Sequence, residues 1–193
     1  MTSDLDRVTN IPPKELNDQQ AAAWARMTHP TDGIIILTGL PGAGKTWLAA
    51  RLVEECVTAG YIVQCAAPTG KAASVLSLKL DRFPVTTIHR LLGLRIGQSV
   101  CDDKLSCDVL LIDESSMLDS ELMGLLMSAI PDECVLVLVG DENQIPPVQA
   151  GRPFYDLIHN NVGSHCHLTG SMRQAEQSGI VQMATAFHQS NVR

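Results

Sequence analysis

The sequence lacks what a membrane, an oxidising compartment or a base-stacking surface would require. No run approaches the ~20 consecutive apolar residues of a bilayer-spanning helix, and the chain opens on polar residues with no apolar leader. None of the six cysteines stands in a C-x-x-C pair, and three lie inside apolar runs. They are expected as reduced, mostly buried thiols of a soluble, cytoplasmic protein with no membrane partner. Aromatic residues make up only 4%, too few for an extended stacking platform. A basic excess is missing as well: the net charge of −7 rules out a general nucleic-acid-binding coat. His165-Cys166-His167 offers ligand types without ligand geometry. Neighbouring strand residues point to opposite faces, so the three are read as strand rather than as one metal site.

What remains is a globular composition, 45% hydrophobic and 18% charged over 193 residues, which fits one domain. The most informative stretch is residues 34–46, Ile-Ile-Ile-Leu-Thr-Gly-Leu-Pro-Gly-Ala-Gly-Lys-Thr. An apolar, β-branched run reads as a buried strand, and Lys45-Thr46 open a helix. Between them lies the G-x-x-x-x-G-K-[ST] phosphate loop in its strand–loop–helix context. Gly39, Gly42 and Gly44 let successive N–H groups converge on a phosphate chain that Cβ atoms would hold off. The helix N-terminus adds about half a positive charge there. Lys45 reaches towards β- and γ-phosphates, and the Thr46 hydroxyl is a Mg²⁺ ligand.

Strand and helix patterns alternate along the rest of the chain. Residues 1–13 read as a loose, flexible lead-in. A helix starts at Asn17 or Asp18 and runs towards Pro30; the next spans residues 45–59. Strands follow at 61–66, 108–113, 134–139 and near 166–168. Helices are expected at 68–80, at 87–92, after Asp119 with Leu122, Leu125, Leu126 and Ile130 inward, at 153–159 and at 178–189. This alternation implies crossover units, hence an α/β fold with a mostly parallel sheet of five or more strands flanked by helices. Runs that are apolar throughout imply a sheet covered on both faces, with ligands beyond the carboxyl ends of its strands.

Two such strand ends carry chemistry. Leu110-Leu111-Ile112-Asp113-Glu114 matches a Walker B element. Asp113 is the expected Mg²⁺ partner, and Glu114 the group that orients and deprotonates the attacking water. Gln144, in the 140–148 loop, has both donor and acceptor and suits sensing of a γ-phosphate or its water. Charge is uneven too. Residues 67–100 hold Lys71, Lys79, Arg82, Arg90 and Arg95 against Asp81, a local +4 that leaves −11 for the rest.

With Ala67-Pro68-Thr69-Gly70-Lys71-Ala72-Ala73, Thr87-Ile88-His89-Arg90-Leu91-Leu92 and Leu168-Thr169-Gly170-Ser171-Met172-Arg173-Gln174 added, these motifs occur in the order of superfamily-1 helicases. The chain resembles the RecD and Dda branch, whose members move 5′ to 3′ on single-stranded DNA. The resemblance, over roughly residues 14–190, implies a RecA-like P-loop NTPase domain with ATP and Mg²⁺ as its cofactors. The 134–139 strand would lie between the phosphate-loop strand and the Asp113 strand, bringing Gln144 beside the γ-phosphate. Arg173 would meet the γ-phosphate. Leu16-Asn17-Asp18-Gln19-Gln20 is similar to the adenine-reading motif, which makes Gln20 the base contact. Pro41, Ala43 and Trp47 belong to the nucleotide cradle by the same likeness. Pro68, Thr69, Lys71, Thr87 and His89 would line the DNA track, inside the one basic segment.

The likeness has gaps. A second RecA-like domain is expected from a further domain or subunit, and hydrolysis by this half alone is expected to be weak. Residues 94–106 leave little room for a duplex-splitting hairpin, and Phe83 is the one aromatic of the basic segment. The expected activity is that of an ATP-driven, 5′-to-3′ DNA helicase or translocase motor in a bacterial cell or phage-infected host. The rival is a split or degenerate motor, an ATP-switched binding module for DNA or a replication–recombination protein, without unwinding.

Overall fold

The computed structural model describes residues 5–9, 11–81, 83–94, 104–144, 147 and 149–169. Its strands are β1 (Ile34–Gly39), β2 (Val63–Ala67), β3 (Val85–Thr87), β4 (Val109–Ile112), β5 (Val135–Val139) and β6 (Ser164–Leu168). The helices are α1 (Asp18–Met27), α2 (Lys45–Thr58), α3 (Gly70–Lys79), α4 (Ile88–Leu91), α5 (Ser120–Ala129) and α6 (Pro153–His159). The strands form one sheet in the order β3-β2-β4-β5-β1-β6, with every pairing parallel. This bears out the α/β, RecA-like expectation, including β5 between β1 and β4.

Side chains alternate across each strand, so an apolar run feeds two cores at once. Ile35, Leu37, Leu111 and Val137 pack with Trp24, Met27, Leu48 and Leu52 of α1 and α2. Ile36, Ile112, Leu136 and Leu138 pack on the opposite face with Leu122, Leu126, Phe154 and Ile158 of α5 and α6. Each fully buried Leu, Ile or Val contributes roughly 1.5–3 kcal/mol, so β5, buried at all five positions, anchors the sheet centre.

Three features depart from the sequence expectations. Residues 85–87 form a strand, β3, where only the following helix was expected; three residues are too few for a strand period to register. The lead-in is not loose at Leu5 and Val8, which are buried in the core. Trp24, fully buried on α1, needs a partner for its indole N–H and donates to the Thr9 carbonyl at 3.0 Å, drawing that segment in. On α5 the fully turned-in residues are Leu122, Met123, Leu126 and Ala129, while Leu125 packs only partly, at the margin of the face. The helix expected at 178–189 lies outside the described residues.

Candidate nucleotide site at the carboxyl edge of the sheet

Because β1, β4 and β5 are adjacent and parallel, the loops that follow them open at one edge. Residues 39–46, 113–116 and 140–144 meet there. The phosphate loop curls through glycines of positive φ: 144° at Gly39, 82° at Gly42 and 88° at Gly44. Gly39 is also forced by crowding, since a Cβ there would collide with the Leu168 carbonyl of β6. The N-terminus of α2 stands apart from most of its fellows. Side chains of Asn17, Thr69, Thr87 and Asp119 cap α1, α3, α4 and α5. At α2 the cap is Gly44, with no side-chain bond among the described residues. A 14-residue helix thus presents its positive end to the loop, as anion binding requires.

Lys45 Nζ donates to the Gly39 carbonyl at 2.6 Å and the Leu40 carbonyl at 3.1 Å. Burial pushes its pKa down; the carboxylates of Asp141, Glu114 and Asp113 oppose that shift, Asp141 most strongly. Thr46 Oγ1 donates to Asp113 Oδ2 at 3.4 Å, so the two expected Mg²⁺ partners face each other. They offer hard oxygen donors, one buried carboxylate and one hydroxyl beside a phosphate cradle, which suits Mg²⁺. Burial raises the Asp113 pKa, and the neighbouring Glu114 charge adds to the rise. The Glu114 amide donates to Asp113 Oδ1 at 3.0 Å, and Lys79 also lies within electrostatic reach; both act the other way.

Glu114 itself is held in a left-handed conformation, φ 55° and ψ 38°. This backbone costs a non-glycine residue about 1–2 kcal/mol and is typical of functional turns. The turn is pinned by fully buried Ser115, whose hydroxyl donates to the Ile112 carbonyl at 2.9 Å. Gln144 Oε1 accepts from Ser116 Oγ at 3.1 Å, tying the loop after β5 to the loop after β4. Gly140 permits that approach: a Cβ there would lie 3.0 Å from the Ser116 amide nitrogen and 2.9 Å from the Phe154 ring.

The structure therefore brings together Gly39, Gly42, Gly44, Lys45, Thr46, Asp113, Glu114 and Gln144. Pro41 is exposed, Ala43 buried and Trp47 half-buried on the first turn of α2, with Arg51 over its ring. Gln20 is buried at the third position of α1, and its Oε1 accepts from the Asn17 amide at 3.2 Å. With Asn17 Oδ1 accepting from the Gln20 amide this is a capping box, so Gln20 also has a folding role. Arg173 lies outside the described residues. Asp141, 4% exposed and the leading charge on Lys45, went unnoticed in the sequence because Gly-Asp also spells an ordinary turn. Thr38 went unnoticed as one more residue of an apolar strand.

The expected DNA residues collect further along the same edge, because β3 pairs with β2 and sets Thr87 opposite Ala67. Thr69 caps α3 and Thr87 caps α4, so each has a structural task. Lys71, His89 and Arg90 are exposed, and Pro68 is half-buried. A cleft of about 490 Å³ runs between α3 and β3, lined in part by Ser74, Ser77, Thr87 and Arg90. Arg82 and Arg95 lie outside the described residues. Among the described residues no His, Cys, Asp or Glu group could hold a metal by itself, and no helix is long and apolar enough to cross a membrane.

The AAA domain family matches residues 15–193. The chain is 35% identical over 174 residues to the ATP-dependent RecD2 DNA helicase of Deinococcus radiodurans, covering 89% of this chain and 24% of that protein. It is 35% identical over 167 residues to the ATP-dependent DNA helicase dda of Enterobacteria phage T4, covering 78% of this chain and 37% of the relative. The RecBCD enzyme subunit RecD of Mycolicibacterium smegmatis is 35% identical over 196 residues, at 86% and 35% coverage. The chain thus spans about a quarter to a third of these relatives. A Pif1 helicase structure from Bacteroides shares the fold with a TM-score of 0.59 at 24% identity, covering 82% of this chain and 42% of that one. One from Candida albicans does so at 0.57 and 20%, with 87% and 43% coverage. A phosphate loop, an Asp-Glu strand end and a Gln-bearing loop at one edge of a parallel sheet thus coincide with RecD and Dda relatives, and the chain belongs to the AAA domain family as a RecA-like domain of the superfamily-1, RecD/Dda-like helicases.

Proposed function

We propose that this chain is the ATP-binding and hydrolysing motor domain of a DNA helicase or translocase that moves 5′ to 3′ on single-stranded DNA inside a bacterial cell or a phage-infected host. The observation that carries this is the meeting of Lys45, Thr46, Asp113, Glu114 and Gln144 at one sheet edge beside the start of α2, which no side chain among the described residues caps. In this reading the loop amides and Lys45 hold the β- and γ-phosphates. Thr46 and Asp113 hold Mg²⁺, which when bound neutralises charge on the phosphate oxygens. Glu114 takes the proton of the attacking water, and its fixed turn aims the carboxylate before ATP arrives. Gln144 and Arg173 contact the γ-phosphate or its water, and Gln20 reads the adenine.

Pro68, Thr69, Lys71, Thr87 and His89 contact the DNA backbone, giving affinity without sequence choice. The likeness to RecD and Dda supports this polarity and strand type. A second RecA-like domain or subunit completes the ATP site, in keeping with relatives about three to four times as long as the region matched. An arginine supplied from such a partner is worth about 10³ to 10⁵ in rate.

The test is ATP turnover with and without single-stranded DNA, in the presence of that second domain. Stimulation by DNA, and loss of it in Glu114→Gln, is the expected result. A rate indifferent to every single strand offered would overturn the DNA-motor reading.

A further inference from the structure

A polar cluster sits one residue upstream of the phosphate loop. Thr38, fully buried on β1, is the register partner of His167 on the edge strand β6. Its Oγ1 lies 2.8 Å from His165 Nε2 and 2.8 Å from His167 Nδ1. The rings share a face because they stand two apart on a strand; Cys166 between them turns into the opposite core. One hydroxyl brings one proton and two acceptor sites. It can satisfy both rings, by accepting from both or by accepting from one and donating to the other, and either way it holds both imidazoles in place. Burial pushes the His165 pKa down, which favours the neutral ring. Arg26, His159 and His167 lie within electrostatic reach of the same ring as positive or titratable neighbours, and Glu142 as the opposing charge.

His167 then faces outward. Its Nδ1, the same nitrogen that meets Thr38, lies 3.9 Å from Glu142 Oε1 in the loop after β5, beyond hydrogen-bond length and an ion pair when the ring is protonated. Two other positions of that loop matter to the site: Asp141 is the main charge on Lys45, and Gln144 reaches Ser116. On the other side, Thr38 leads directly into Gly39, whose carbonyl holds Lys45. Beyond His167, Thr169 is gripped at both ends by the Gln19 amide: its hydroxyl accepts at 2.6 Å and its N–H donates at 3.2 Å. Two imidazoles and one hydroxyl therefore bond β1 to β6 beside the candidate phosphate site, and the loop after β5 comes within 3.9 Å of them.

We propose that His167, locked by Thr38 and His165, is a positioning residue for ATP turnover: it tethers residues 140–144 to β6, so that Asp141 and Gln144 are held facing the phosphate loop. This rests on the ATP-hydrolysing function proposed above. His167 makes no claim on substrate. It acts through Glu142, and its loss should slow the chemical step while leaving ATP binding in place.

The experiment compares His167→Leu, Thr38→Val, their double variant and His167→Asn, whose amide retains a polar atom near the position of Nδ1. Turnover is measured as kcat and KM for ATP, alongside amide hydrogen exchange of the nucleotide-free protein. The leucine and valine variants should each lower kcat on the order of tenfold with KM unchanged within about twofold. The double variant should be no worse than the poorer single one, because both cut the same link. His167→Asn should recover most of the rate. Exchange at 140–144 should quicken in the leucine and valine variants while the 34–37 amides of β1 stay protected.

Additive losses, or a rise in KM with kcat intact, would overturn the tether. So would unchanged exchange at 140–144 in His167→Leu, and that arm needs no turnover. A parent protein that turned over no ATP with its second domain present would instead count against the proposed function.

Discussion

The sheet edge has two halves that differ in how they are held. Around the phosphate loop, side chains and amides bond across elements: Lys45 to the loop carbonyls, Thr46 to Asp113, Gln144 to Ser116, Thr38 to two histidines of β6. Along β2 and β3 the polar residues serve their own helices, Thr69 capping α3 and Thr87 capping α4, and the cations Lys71 and Arg90 are exposed. A triphosphate has a fixed shape, so its cradle must be built before it arrives, mostly from backbone. A strand of phosphates asks only for charge at a suitable spacing, and exposed side chains on short helices supply that. The first half should therefore fail abruptly when one group is removed, and the second gradually.

The sharpest break should come at Glu114. Glu114→Gln keeps the turn and the hydrogen-bonding shape but removes the base, so hydrolysis should fall about 10² to 10⁴-fold with ATP affinity unchanged. Single-turnover rates and a binding isotherm on the same preparation check both halves of that expectation. Next is Lys45→Ala. Losing a charge-assisted contact to the phosphates should weaken ATP binding by roughly 100-fold, read by calorimetry. A loss as small as that of a surface cation would erase the contrast between the two halves.

On the other half, Lys71→Ala and Arg90→Ala should each weaken single-stranded DNA binding only a few-fold. Each should also lower the salt slope of log K by about one, equally for all sequences. Fluorescence anisotropy across a salt series measures this, and a loss confined to one sequence would argue for base contacts instead.

The smallest effect separates function from stability within the first half. The Asp113 pKa is raised in the folded protein, so the folded state holds the proton more tightly than the unfolded chain. The stabilisation from that proton is complete below the ordinary carboxylate range and is lost as pH rises through the folded value. At pH 7 the buried carboxylate is then a cost to the nucleotide-free fold. Asp113→Asn should raise Tm by a few degrees at pH 7, and the gain should shrink towards pH 4. Thermal melts at the two pH values decide it, and a lowered Tm at pH 7 would contradict the sign.

The same contrast explains what could be read from the sequence. The phosphate loop was legible because glycine at positive φ, lysine and a hydroxyl at fixed spacing leave few alternatives, and β1 and α2 lie where that spacing puts them. The position of β5 between β1 and β4 came from the family likeness, since no local pattern encodes strand order. β3 was not legible because three residues carry no period, although it sets Thr87 beside Ala67. Leu5 and Val8 looked like part of a loose lead-in; they are buried in the core that also holds Trp24, whose indole bonds the neighbouring Thr9 carbonyl. Asp141 and Thr38 were hidden for a related reason. Each has a common local meaning, turn former and strand residue, and gains its other role only from neighbours on distant elements. Gln20 shows the converse, a motif residue whose amide also closes the capping box of its own helix.

In the proposed function a Mg²⁺-bound triphosphate lies at the carboxyl ends of β1, β4 and β5. Its most direct test is a crystal structure of this chain with Mg²⁺ and a non-hydrolysable ATP analogue. The expected result is a γ-phosphate bounded by Lys45, Thr46 and Gln144, with the ion between Thr46 and Asp113 and the Glu114 carboxylate turned towards the attacking side. A nucleotide seated anywhere else, or a γ-phosphate out of reach of both Lys45 and Gln144, would contradict the account.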